Sequence, residues 1–225
     1  MKIQRNRLKR GLATLLAIGV AISLSAHSAW AQVKVACIGD SITFGYGLAN
    51  PSTQSYPAQL QTLLGSGYVV GNFGLNGATV QKSTPKSYWR TSQYRSSKTF
   101  APNIVVIMLG TNDSKSANWN AANFNADYRA LITDYQSLAT HPAVYISLIP
   151  PVYIPNGFGN AFDPVFIQDT VEPAIQTIAS QAAVPLIDNN SPLQNHPEYF
   201  SDGVHPNLQG AGIIASTVKA AVTAP

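Results

Sequence analysis

The 225-residue sequence has one cysteine, Cys37, so no disulfide can form within the chain and stability has to come from a packed interior. Charge is scarce as well, with Asp, Glu, Lys and Arg making up 11% of the residues. Fourteen Lys and Arg face ten Asp and Glu, a formal charge of +4, but five of the positive residues (Lys2, Arg5, Arg7, Lys9 and Arg10) crowd the first ten positions with no acid among them. Beyond residue 31 the balance is nine basic to ten acidic residues, a net −1. Such a surface offers no footprint for a phosphate backbone, so no nucleic acid is expected as a partner. Internal repeats, low-complexity tracts and linker-like Pro or Gly clusters are missing after residue 31, which excludes solenoids and strings of domains. No apolar run reaches the roughly 18 residues that would span a bilayer. No second histidine stands at a zinc-binding spacing from the first, so neither a metal nor another cofactor is expected.

Residues 1–31 carry the pattern of a cleaved export signal: a cationic start, an apolar stretch at 12–26 and a small-x-small site at Ala29-Trp30-Ala31. No Arg-Arg pair precedes the apolar stretch, and no cysteine follows it to take a lipid. Cleavage leaves a chain starting at Gln32, expected to be secreted or periplasmic and without stable insertion in a membrane. The 194 residues at 32–225 suffice for one domain with a sizeable core.

That stretch alternates between two patterns. Short β-rich apolar runs at 33–38, 68–74, 103–109, 143–149 and 184–188 predict near-continuously buried strands. Helical spacing of apolar residues falls between and after them, at 56–64, 121–139, 164–182 and 208–222, with Pro173 expected to kink or restart the third. Alternating strands and helices imply right-handed crossovers, hence a parallel sheet covered on both faces, a three-layer α/β/α sandwich.

Ligands of such sheets bind beyond the carboxyl ends of the strands, near the point where strand order reverses. The loops there read Gly39-Asp40-Ser41-Ile42-Thr43, Leu75-Asn76-Gly77-Ala78-Thr79, Gly110-Thr111-Asn112-Asp113 and Asp202-Gly203-Val204-His205-Pro206. Acyl transfer requires a nucleophile, a base, a group that orients the base, and donors aimed at a developing oxyanion. Ser41, His205 and Asp202 supply the first three. The backbone N–H groups of Ser41 and Gly77, with the two N–H donors of the Asn112 amide, supply the last. Asp40 and Asp113 read as carboxylates that brace their loops. His196 is a candidate for lining the pocket without being the base, His141 for the surface, and Cys37 for the core. Tyr88, Trp89 and Trp119, in segments after the second and third strands, are possible substrate-binding residues, since flat apolar rings with polar edges suit sugars as well as acyl chains. The long stretch at 150–159 is expected to form a wall of the site or a lid.

The blocks GDSIT, NFGLNGAT, GTND and DGVHP resemble, in text, order and strand placement, the four motif blocks of the SGNH (GDSL-type) hydrolases, with the signature letters on Ser41, Gly77, Asn112 and His205. The resemblance runs from Gly39 to Pro206. It implies a flavodoxin-like five-stranded sheet and a metal-free serine esterase or lipase mechanism, with Asp202 completing the triad. Within that group the texts GDSITFGYG, SYPAQL, NFGLNGAT, LGTNDSK and DGVHPN are most similar to secreted carbohydrate-deacetylating members, including sialate O-acetylesterase-like proteins. A glycan or small-molecule ester with a short acyl group is then the expected substrate. Two alternatives stand beside it: a lysophospholipase or thioesterase for longer acyl chains, and a carbohydrate-binding protein that has lost turnover.

Overall fold

The computed structural model describes residues 31–224, so the expected export signal lies outside the described residues except for Ala31. The apolar runs become five parallel strands: β1 (Val33–Gly39), β2 (Tyr68–Gly74), β3 (Ile104–Met108), β4 (Ala143–Ser147) and β5 (Leu186–Ile187). Their spatial order is β2-β1-β3-β4-β5, with Gly39 in register between Gly74 and Met108. The inner strands β1 and β3 are buried along most of their length. The outer strand β2 departs from the expected burial: it has one neighbour, and only Gly74 is fully covered. At the opposite edge, β5 shrinks to two paired residues where the apolar pattern predicts five.

The helices are α1 (Ser41–Phe44), α2 (Pro51–Gln54), α3 (Tyr56–Leu64), α4 (Ser92–Thr99), α5 (Ala121–Gln136), α6 (Pro164–Phe166), α7 (Glu172–Ala182) and α8 (Leu208–Val222). α3 packs on α8, and α5 on α7, giving the helical layers of the sandwich. α5 is capped by Asn120, whose side chain accepts from Asn123 N–H at 2.9 Å, and it buries Phe124, Tyr128, Leu131, Ile132 and Tyr135. It stops three residues short of the expected end. The helical path at 164–182 is continuous but widens into a π-helical turn at Ile167–Val171, just before Pro173. Pro173 has no N–H to donate and its ring crowds the carbonyl of Asp169, so the wider turn accommodates it inside the path.

The chain leaves β1 towards β2, then crosses back to β3 on the other side of β1. The strand ends of β1 and β3 therefore flank the crevice where strand order reverses. The first turn of α1 lies hard against those ends. A methyl group on Gly39 would stand 2.0 Å from Thr43 Oγ1 and 2.8 Å from the Met108 carbonyl oxygen. Only glycine lets the strand turn into the helix there, and that turn places Ser41 over the crevice.

Candidate active site

Ser41 is the first residue of α1, and Asp40 is its N-cap, with Oδ1 accepting from Ile42 N–H at 2.9 Å. From the other end of the chain, His205 brings Nε2 to 2.8 Å from Ser41 Oγ, and its Nδ1 lies 2.7 Å from Asp202 Oδ2. The second oxygen of Asp202 accepts from the backbone N–H groups of Val204 (2.9 Å) and His205 (2.7 Å). Burial works against the charge of this carboxylate, but those two N–H groups and the imidazole outweigh it and hold Asp202 below its ordinary value. Ser41 and His205 are 8% and 7% exposed, within reach of a substrate yet largely stripped of water.

The loop carrying Asp202 and His205 is held from both sides. Behind it, Asn207 caps α8 by accepting from Gln209 and Gly210 N–H groups at 3.0 and 3.1 Å. In front, the 150–159 segment donates to it twice, from Tyr153 N–H to the Gly203 carbonyl (2.8 Å) and from Gly157 N–H to the Asp202 carbonyl (2.9 Å). Gly203 itself has φ +79°, and a methyl group there would lie 2.7 Å from both Asn156 Cβ and the Tyr153 carbonyl oxygen. The long segment is thus a strap tied across the Asp202–His205 loop.

The three expected oxyanion donors differ in what they have to offer. Among the described residues, the N–H groups of Ser41 and Gly77 donate to no protein acceptor. Both hydrogens of Asn112 Nδ2 already point at acceptors, Asp40 Oδ2 at 3.3 Å and the Ala78 carbonyl at 3.2 Å, so this amide is not the free double donor that the sequence suggests. It ties the loops after β1, β2 and β3 together instead, and any further bond it makes is shared. Below it Asp113 is fully buried and accepts from Val80 N–H (3.0 Å), Gln81 N–H (3.1 Å) and Gln81 Nε2 (3.2 Å). Burial pushes Asp40 up to about 7 and Asp113 up to about 6, while Asp202 goes the other way.

One of the aromatic expectations needs correction. Tyr88 is wholly buried and its hydroxyl donates to the Phe73 carbonyl at 2.8 Å, so it belongs to the core and cannot meet a substrate. Trp89 is partly buried, with its Nε1–H on the Val80 carbonyl (2.9 Å) and Lys82 Nζ 4.1 Å from its ring centre. Trp119 lines an open space, a cavity of about 390 Å³ shared with Ser114, Ser116, Ala161, Asp163 and Phe166. The rings that do flank His205 escape a reading by sequence. Tyr46 lies 4.6 Å and Phe158 5.5 Å from the His205 ring, centre to centre, and both are well exposed. His196 pairs with Glu198 at 2.8 Å and stacks on Tyr199, and His141 is exposed. Among the described residues, no three His, Cys, Asp or Glu side chains gather closely enough to hold a metal ion. No helix of those residues is long and apolar enough to cross a membrane.

This arrangement has relatives. An acetylxylan esterase from Xylanibacter ruminicola is 34% identical over 207 residues, covering 84% of this chain but 43% of the relative, so the chain spans less than half of that protein's length. Among solved structures, a carbohydrate acetylesterase family member from Sinorhizobium meliloti superposes with a TM-score of 0.69 at 23% identity, covering 85% of this chain and 97% of the other. An aryl esterase from M. smegmatis gives 0.66 at 21% identity, over 84% and 98%. These two likenesses establish the fold. The model of one family matches residues 37–213, from within β1 into α8 and across all four loops at the strand ends. By that match the chain belongs to the GDSL-like lipase/acylhydrolase family.

Proposed function

We propose that this protein is an exported serine ester hydrolase that works through an acyl-Ser41 intermediate and removes short acyl groups, acetyl foremost, from carbohydrate. The observation that carries the proposal is the unbroken run of hydrogen bonds from Asp202 through His205 to Ser41 Oγ, at 2.7 and 2.8 Å. In this reading His205 Nε2 takes the Ser41 proton as Oγ attacks the ester carbonyl, and Asp202 holds the Nδ1 proton and steadies the imidazolium that results. The unclaimed N–H groups of Ser41 and Gly77 receive the oxyanion, with Asn112 sharing a hydrogen. Collapse sends the alcohol away with the proton from His205. Water, activated by the same imidazole, then frees Ser41 and releases the acid.

Acetyl on carbohydrate is supported by the name of the Xylanibacter ruminicola relative. The Trp119 cavity agrees with it, since a flat ring beside the hydroxyls of Ser114 and Ser116 suits a sugar face. Export rests on residues 1–31. One observation favours the longer-chain reading, the lysophospholipase or thioesterase: Tyr46, Phe158 and Ile154 all expose apolar surface on or near the strap.

Initial rates on 4-nitrophenyl acetate, butyrate, octanoate and palmitate, using residues 32–225, separate these readings. Acetate is expected to be the best substrate, EDTA to be harmless, and Ser41→Ala to lower kcat by about 10⁴-fold or more. A preference for octanoate or palmitate replaces the acetylesterase reading with the lipid one. Equal rates for wild type and Ser41→Ala would falsify the acyl-serine mechanism, and no turnover by either leaves a carbohydrate-binding protein.

A further inference from the structure

We propose that Lys86 and Lys115 form a cationic flank to the acyl site, and that the ester it takes belongs to an anionic glycan with a carboxylate close to the acyl group; the inference rests on the ester-hydrolase reading above. Lys86 is exposed, yet its side chain folds back over the loop after β2. A methyl group on Gly77 would stand 2.8 Å from Lys86 Cδ and 3.0 Å from Nζ. An exposed lysine gains freedom by pointing into water, so this pose sets a full positive charge beside one of the two unclaimed N–H groups.

Lys115 approaches from the other side. It follows the Asn112 loop, is half-buried, and holds Nζ 4.5 Å from the centre of the Phe162 ring. Phe162 contacts Phe158 (5.6 Å between ring centres), which in turn contacts His205 (5.5 Å). Burial, and then the charge of Lys86, pull the Lys115 ammonium below its ordinary value against a smaller opposing effect of Asp40, so the two cations feel one another.

Among the described residues neither lysine has an ion-pair partner, whereas Lys82 and Lys98 reach Asp127 and Asp134 at 3.5 and 2.9 Å. The acids near the site are committed elsewhere. Asp40 and Asp113 are buried against backbone N–H groups, Asp202 holds His205, and Asp163 caps α6 through the N–H groups of Val165 and Phe166. In a chain with so few charges, two cations without an ion-pair partner at the site favour a substrate that brings the counter-charge, although Asp40 acts on Lys115 from a distance and Asp163 lines the neighbouring cavity. A sugar is favoured as its carrier because Ser114 and Ser116, on either side of Lys115, open onto the Trp119 cavity. A uronic acid residue carries a carboxylate on the same ring as its acetylated hydroxyls.

The test compares kcat/KM for a methyl O-acetyl-glucuronoside carrying its free carboxylate with the same compound as its methyl ester. The free acid is expected to be preferred about tenfold or more, as for a charge-assisted hydrogen bond. Added salt should shrink that preference. Lys86→Gln and Lys115→Gln should each lower the ratio, and both together should bring it near one, while Lys86→Arg and Lys115→Arg retain it. Equal rates on the two compounds, both lost in Ser41→Ala, overturn the proposal and leave the hydrolase standing, as does turnover of 4-nitrophenyl acetate with neither glucuronoside touched. No turnover of any of the three removes both readings. If the Gln variants change selectivity only between 1-acetylglycerol 3-phosphate and 1-acetylglycerol, the cations read a lipid headgroup and the glycan proposal falls.

Discussion

Asp202 uses its two oxygens for different tasks: Oδ1 shapes its own loop through two N–H groups, and Oδ2 holds the imidazole. Asp202→Asn separates them. The amide oxygen can keep the loop bonds, but an NH₂ facing Nδ1 forces that nitrogen to be an acceptor and places the ring proton on Nε2, aimed at Ser41. A base in that tautomer cannot take a proton, so kcat should drop about 10³- to 10⁴-fold with thermal stability little changed. A loss of folding in parallel with activity would instead make Asp202 a loop brace and no more. Single residues set the limit of legibility here. The motif blocks singled out Ser41, His205 and Asp202, which the structure brings into one hydrogen-bonded row, because each stands in a recognisable loop after a strand. Tyr46 lies within the first block, but nothing in its spacing told that its ring would rest on residue 205. Tyr88 has the composition of a binding residue and the burial of a core one, and only packing distinguishes the two.

At the level of elements, the strap at 150–159 and the Asp202–His205 loop work as one piece, joined by two backbone bonds with Gly203 pressed between them. Gly203→Ala introduces a methyl with no room and a strained φ, so the loop has to move away from the strap. A displacement of about 1 Å at a catalytic base typically costs about 10²-fold, so kcat should fall by that order. A melting curve of the variant should show only a modest loss, because the change lies at the rim and not in the core. Activity at the wild-type level would mean that the strap does not position the base. The element with the weakest sequence signal was α4. Its sequence SQYRSSKT buries only Ser97, and its helix is held by the Thr91 cap and by Tyr94 and Lys98, both on Asp134. Apolar periodicity cannot report a helix that is fixed by polar contacts. The ends of β5 and α5 were likewise set by pairing and packing partners that a local pattern does not see.

For the molecule as a whole, buried carboxylates set the dependence of stability on pH. Burial raises Asp40 and Glu172 to about 7 and Asp113 to about 6, against about 4 for an unfolded chain. The folded state therefore keeps protons that the unfolded state releases, and each pH step upward through the window from about 4 to 7 favours unfolding. Asp202 has the opposite sign: its contribution is present above the ordinary carboxylate range and is lost as pH falls through its lowered value. Thermal melts should accordingly peak at about pH 4, at the foot of that window, and decline by several degrees by about pH 7 to 8. A Tm that is flat or rising over that range would contradict the raised values. Turnover by an imidazole base runs the other way, since protonation disables it, so the protein should work best where it is somewhat less than maximally stable. The layers were the most legible level of all, because alternating apolar runs and helical spacings leave few ways to cover a parallel sheet, whereas the strand order was implied only by the resemblance to a family. One consequence lies in time. Ser41 and His205 are 164 residues apart in the sequence, and His205 stands just before α8, which packs on α3. During synthesis the nucleophile is finished long before the imidazole exists, so the growing chain carries an inert alcohol until its last tenth is made. Recovery of activity on refolding should therefore mark the final docking event and lag behind recovery of helical signal.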